Sequence, residues 1–202
     1  MEIQLTSKDK KRIEKSIRAK YAKVAVNPEN LFKYPTGLAG LKALNYDPEI
    51  IITLPVTVSA SYCGVGNPFT LGQIGEGEAV LDIGCGAGVD TIVAAKMVGP
   101  PGTVTGIDLV PEMLAQAREN VEMMGLENVT FVETSAEKMP FPDADFDIVI
   151  SNGVYNLIPD KLSALAEAFR VLKPSGRLMI ADQVLVGQPP KDKKARIKNW
   201  FR

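Results

Sequence analysis

From Gly77 onward the chain alternates short apolar runs with helix-period segments, and no other feature restricts its fold as tightly. Ala79–Ile83, Val104–Ile107, Val129–Val132, Phe146–Ile150 and Arg177–Ala181 are brief and rich in Val, Ile and Leu, the composition of strands buried on both faces. Between them, helical patterns run over about 89–98, 111–124 and 160–172, with Pro111 in a first turn, Gly125 just past an end and Asp160 near a start. Alternation of this kind gives a parallel sheet covered by helices and joined by right-handed crossovers. The expectation is an α/β fold of about five strands.

Upstream, Ile13, Ile17, Tyr21 and Val24 repeat at helical spacing, so residues 7–25 form an amphipathic helix with Ser7 as its N-cap. Five prolines and seven glycines between 27 and 77 then cut the chain into short pieces, with room for one brief helix before Pro55. A chain of 202 residues, 46% hydrophobic, supports a packed core. No apolar stretch approaches the ~18 residues of a membrane span, and the amino terminus lacks a signal-peptide core, so the chain reads as cytoplasmic with no membrane partner. The absence of histidine removes Ser-His-Asp and Cys-His catalysis and histidine metal sites together. Cys63 and Cys85 are too few for a zinc cluster, and no metal is expected; both read as reduced thiols, Cys85 as a structural one. The net charge of -1 hides an uneven distribution: residues 8–23 hold eight Lys or Arg against two acids, and 191–202 hold six against one. Basic ends lying on their own acidic body are the expectation here, ahead of a nucleic-acid footprint.

The segment Val80–Asp90 runs from a strand through Gly84, Gly86 and Gly88 into a helix. Glycines at alternate positions let the chain turn sharply and let a ligand lie against bare backbone. Val89 stands where the dinucleotide fingerprint needs its last glycine, which disfavours nicotinamide chemistry, and no phosphate-binding Gly-Lys-Ser/Thr loop exists. Asp82, two places before the first glycine, suits a cationic ligand. Asp108 ends the next strand ~20 residues further on, where a carboxylate can accept two hydrogen bonds from a ribose diol. Ser135-Ala136-Glu137 and Ser151-Asn152-Gly153 follow the third and fourth strands, on the same edge of the sheet.

Asp82–Gly88, Asp108, Ser135–Pro142, Phe146–Gly153 and Val171–Arg177 together resemble the successive motifs of class I S-adenosylmethionine-dependent methyltransferases, over about residues 77–183. The resemblance implies a Rossmann-like sheet of order 3-2-1-4-5, S-adenosylmethionine as cofactor and S-adenosylhomocysteine as product. It implies that Asp82 faces the cofactor's ammonium, that Gly84, Gly86 and Gly88 admit it, and that Asp108 holds the ribose. Leu109 adjoins Asp108, and Met113, on a helix where packing is the ordinary role, is close enough to that loop to touch the sugar. Ser135, Ala136 and Glu137 would bracket the adenine, and Asn152 would contact the cofactor. Because the sheet's loops alone leave such a pocket open to water, the helix over 7–25 and the turn around Tyr62 and Cys63 are expected to lie over it, with Tyr21 as part of this lid. The organisation is then a helical arm and lid over 1–76, a cofactor domain over 77–185 and a basic tail over 186–202.

Within that family, Cys63–Pro68, Ser151–Lys161 and Arg170–Pro174 look most similar to arsenite methyltransferases, with quinone-biosynthesis methyltransferases next. Arsenite enzymes carry metalloid-binding cysteines where this chain has Val65 and Gly153, leaving Cys63 as the sole nearby thiol and the one catalytic candidate. The main expectation is methyl transfer to an unidentified small molecule by in-line displacement. Arsenite methylation, or a cofactor-binding subunit without turnover, is the alternative. The resembling enzymes continue past the fifth strand with a helix and two further strands. Two expectations follow: a shortened domain whose sheet edge is covered by its own tail or by a homodimer partner, or a reading frame that continues after Arg202 through a UGA codon for selenocysteine.

Overall fold

The computed structural model describes residues 5–28, 31–184, 186–187, 192–198 and 200. Residues 188–191, 199, 201 and 202 of the expected basic tail, residue 185 before it, and residues 1–4, 29 and 30 of the arm lie outside the described residues.

Helix α1 spans Ser7–Val26, and its cap is Thr6, one residue earlier than the sequence suggested. Counting from Thr6 puts Asp9 at the third helical position. Thr6 Oγ1 accepts from Asp9 N while Asp9 Oδ2 accepts from Thr6 N, which closes a capping box that Ser7 cannot make. The proline-rich stretch forms three short helices, α2 (Gly37–Ala43), α3 (Pro48–Ile51) and α4 (Val56–Ala60), and a 3-10 turn at Pro68–Thr70. Asp47 caps α3 through Glu49 N, with Pro48 fixed in the first turn.

The α/β unit follows as β1 (Ala79–Ile83), α5 (Val89–Val98), β2 (Thr103–Asp108), α6 (Pro111–Met123), β3 (Val129–Glu133), β4 (Phe146–Asn152), α7 (Lys161–Val171) and β5 (Leu172–Ala181). All pairings are parallel, in the order β3-β2-β1-β4-β5. The sheet's two buried faces explain the near-continuous apolar strands: Val80, Leu81, Ile83, Ile148, Val149 and Ile150 have no exposed surface. Strand β5 begins earlier than its apolar run implied. Leu172 pairs with Phe146, the chain leaves register through Pro174 and Ser175, whose φ is +68°, and pairing resumes at Arg177. Proline removes a ladder donor, so this irregularity is legible afterwards but hidden from an apolar-run count.

The arm packs onto this unit through apolar contacts. Leu41, Tyr46, Ile51, Leu54, Val58 and Tyr62 join Val89, Ile92, Val93 and Val121 in one cluster. Helix α1 seats Ile13 and Ile17 against Leu157 and against Ile197 of α8 (Lys193–Lys198), and Val24 against Val110 and Met113. Lys10–Asp160 at 2.7 Å, Arg18–Glu133 at 3.4 Å and Lys193–Asp9 at 2.7 Å place basic side chains of both ends on acidic partners.

Candidate functional site

Strand order reverses between β1 and β4, and at such a switch point the loops beyond the carboxyl ends separate and leave a crevice. Here they bound a cleft of about 1190 Å³, its open mouth included, and α1 crosses it with Lys10, Glu14, Ile17 and Tyr21. Tyr21, proposed from sequence as part of a cover, is therefore at the cleft. So is Cys63, from the loop after α4.

The glycine turn supplies the floor. Gly84 N and Cys85 N both donate to Ile107 O, at 2.8 and 2.9 Å, fastening the turn to the end of β2. Asp108 completes this attachment: Oδ2 accepts from Gly86 N and Oδ1 from Val110 N, each at 2.9 Å. A carboxylate has about four lone-pair sites, so acceptor capacity remains for a diol. Burial pushes the Asp108 carboxyl upward, and its backbone N–H partners oppose that shift. Gly84 and Gly86 line the cleft, whereas Gly88 does not. A Cβ at Gly88 would lie 3.1 Å from Ala117 Cβ and 3.3 Å from Phe131 Cζ, so this glycine lets α6 and β3 approach the turn.

The acidic residue at the cleft also differs from the one the motif suggested. Asp82 is 2% exposed and does not line the cleft; its carboxylate accepts from Thr91 Oγ1 of α5 at 2.6 Å. Asp90, in the first turn of α5, does line it. Asp90 accepts from the Tyr46 hydroxyl at 2.6 Å and from Asn152 Nδ2 at 2.9 Å. Burial and the proximity of Asp90 push the Asp82 carboxyl far above the ordinary range; burial also raises Asp90, against those two donors. Asp90 has a sequence signal of its own, an acid two residues past the last glycine, as Asp82 stands two residues before the first.

Leu109, Met113, Ser135, Ala136, Glu137 and Asn152 all line the cleft. Ser135 Oγ accepts from Glu137 N at 3.1 Å, and Glu137 Oε1 accepts from Asp160 N at 2.7 Å, so both side chains brace the loop after β3 against the start of α7. Tyr62, from the turn expected over the pocket, lines it too, and so do Gly64, Val154, Leu157 and Ile158, which only the fold brings to this edge. Burial pushes the Cys63 thiol up to about 12, with Asp108 and Asp90 adding to the shift, so it is uncharged at neutral pH. Val65 and Gly153, far apart in sequence, are neighbours in space: a Cβ at 153 would lie 3.1 Å from Val65 Cγ2.

Residues 74–202 match the family model described as a methyltransferase domain. The chain belongs to the methyltransferase domain family. This methyltransferase domain is 40% identical over 157 residues to the arsenite methyltransferase of Halobacterium salinarum, covering 78% of this chain and 40% of that protein. It is 32% identical over 203 residues to that of Mus musculus, covering 96% of this chain and 54% of the mouse protein. The chain thus spans about half the length of these curated relatives. Among solved structures, an arsenic(III) S-adenosylmethionine methyltransferase from Chlamydomonas reinhardtii superposes with TM-score 0.56 at 35% identity, over 74% of this chain and 50% of that one. A SAM-dependent methyltransferase from Aquifex aeolicus gives 0.54 at 31% identity, over 74% and 76%.

Proposed function

We propose that this domain binds S-adenosylmethionine in the cleft and transfers its methyl group to a small-molecule acceptor. The observation that carries the reading is the meeting of Asp108, with acceptor capacity to spare, the side-chain-free floor at Gly84 and Gly86, and the buried acid Asp90 in one crevice. These residues fit the cofactor: Asp108 for the ribose hydroxyls, Asp90 as the negative group for a cationic ligand, and Ala136 and its neighbours beside the adenine. When bound, the cofactor supplies an activated methyl group for in-line displacement, a reaction that asks the protein chiefly for alignment. Alignment comes from the fastened turn, and Ile17 and Tyr21 of α1 keep water from the cleft. Cys63 and Tyr21 stay protonated, because burial raises both, so neither serves as a ready base at neutral pH. The acceptor on this reading arrives as a nucleophile that needs no deprotonation by these groups.

Arsenite methylation is the second reading, favoured by the names of the relatives, while the neighbouring Val65 and Gly153 give it no thiol at either position. The proposal includes a cytoplasmic setting, which suits two free cysteines, and pairing of two copies through β5, whose other edge carries no strand among the described residues. Light scattering showing only monomer would remove that pairing. The main test is a thermal-shift series with S-adenosylmethionine, S-adenosylhomocysteine and NAD, followed by methyl-transfer assays with arsenite and with quinol acceptors. Stabilisation by the first two ligands alone is expected; stabilisation by none of them would end the reading. Binding without transfer to any acceptor would leave a cofactor-binding subunit.

A further inference from the structure

Asn152 ends β4, and its side-chain amide joins segments that are distant in sequence. Its Oδ1 accepts from Val65 N at 2.8 Å and from Gly66 N at 3.0 Å, which fixes the amide's orientation, since only an acceptor can meet two backbone N–H groups. Its Nδ2 then has four acceptors in reach, Gly66 O at 2.8 Å, Asp90 Oδ2 at 2.9 Å and the Tyr46 and Tyr62 hydroxyls at 3.1 and 3.2 Å, and its two hydrogens go to the two shortest. Both lone pairs and both hydrogens of the amide are therefore engaged. The Tyr46 hydroxyl donates to the other Asp90 oxygen, and the Tyr62 hydroxyl donates to Gly66 O at 2.9 Å. The loop held in this way contributes Tyr62, Cys63 and Gly64 to the cleft wall.

We propose that Asn152 is a positioning residue for this site: its amide locks the 62–66 loop to Asp90 and so sets the width of the pocket on its acceptor side. This rests on the reading of the cleft as a cofactor pocket. Direct cofactor contact, the role that sequence resemblance suggested, is not its task, because no donor or acceptor capacity is left on the side chain. The chemistry demands an amide. An aspartate of the same shape keeps the acceptor for Val65 and Gly66 but presents a carboxylate oxygen to the Asp90 carboxylate, where Asn152 presents a donor. Asp90 is also faced by Asp82 from β1 and by Tyr46, Tyr62 and Cys63 from the arm, and no Lys or Arg among the described residues pairs with it. Two carboxylates so placed share a proton on the acid side and repel once both are ionised.

The test is Asn152→Asp in the full chain, compared with wild type at pH 5.5 and pH 8. Protection of the Val65 and Gly66 amides is read by hydrogen exchange, and S-adenosylhomocysteine affinity by calorimetry. At pH 8 both should fall about tenfold or more, the equivalent of one lost hydrogen bond. At pH 5.5 the shared proton should restore both to near the wild-type values. Tyr46→Phe, which removes the 3.1 Å contact of Nδ2 with the Tyr46 hydroxyl but leaves both acceptor bonds of Oδ1 in place, should keep Val65 and Gly66 protected. If Asn152→Asp does not fold at either pH, Asn152→Ala replaces it and should lose protection and affinity at both. Unchanged protection in the Asp variant at pH 8, or a loss that is the same at both pH values, overturns the proposal. Failure of wild type to bind S-adenosylhomocysteine would instead count against the cofactor reading, and the exchange data would still decide the role of Asn152.

Discussion

Asp108 illustrates how much one side chain at a strand end can be asked to do. Its two oxygens hold Gly86 and Val110 in place while keeping lone pairs for a ligand, so Asp108→Ala should weaken S-adenosylhomocysteine binding by about 1.5–3 kcal/mol, the range for bonds to a charged partner. Calorimetry showing equal affinity would remove it from the site. Gly88 makes the opposite case. With φ at +81° and Ala117 Cβ 3.1 Å from the position of an added Cβ, Gly88→Ala should cost about 1–3 kcal/mol of stability through strain. Because Gly88 faces packing rather than the cleft, that loss should show in denaturant melts, with little change in ligand affinity for the molecules that remain folded.

Among the elements, α1 decides how the cleft is covered. Its ion pairs, Lys10–Asp160 and Arg18–Glu133, are partly exposed, and such pairs contribute roughly 0–1 kcal/mol each. The apolar face does more, since Ile13 is 1% exposed against Leu157 and Ile197. Ile13→Ala should therefore loosen α1 by about 2–5 kcal/mol, seen as faster amide exchange confined to that helix, whereas Lys10→Ala should leave its exchange nearly unchanged. Deleting residues 1–25 should reduce S-adenosylhomocysteine affinity by about tenfold or more, given the loss of the apolar cleft lining that Ile17 and Tyr21 supply. Unaltered affinity in that deletion would show that α1 is not a cover.

For the molecule as a whole, the buried acids set the pH response. Asp82 and Asp90 have folded-state values raised above the unfolded value near 4, so between the two the folded chain keeps protons that the unfolded chain has released. Stability of the ligand-free domain should fall as pH rises through that window, most visibly between pH 5 and 8. Glu167, held down to about 2 first by Arg170, acts in a different window: its contribution is complete above the unfolded value of 4.5 and fades only as pH falls toward 2. A cationic ligand offsets the charge cost at Asp90, so S-adenosylmethionine should raise the melting temperature more at pH 8 than at pH 5.5. A melting temperature flat or rising from pH 5 to 8 without ligand would contradict this account.

The sequence by itself determined the sheet, because strands buried on both faces must be apolar throughout and their connecting helices must show a 3.6-residue period; β1, β2 and β3 lie within a residue of their apolar runs at each end. It also determined which loops meet, since the carboxyl ends of parallel strands share one edge, and this placed Gly84, Gly86, Asp108, Ala136 and Asn152 at the cleft. What each side chain does there was left to the tertiary structure. Asp82 and Asp90 flank the same turn and read alike in sequence, but strand alternation and helix rotation turn one toward Thr91 and the other toward the cleft. The Asn152 network links positions 46, 62, 66, 90 and 152, and hydrogen bonds over such separations leave no periodic trace in a single chain. The proximity of Val65 to Gly153 was likewise decided only by the folding of the arm onto the sheet, driven by the apolar cluster around Leu41, Tyr46 and Val58.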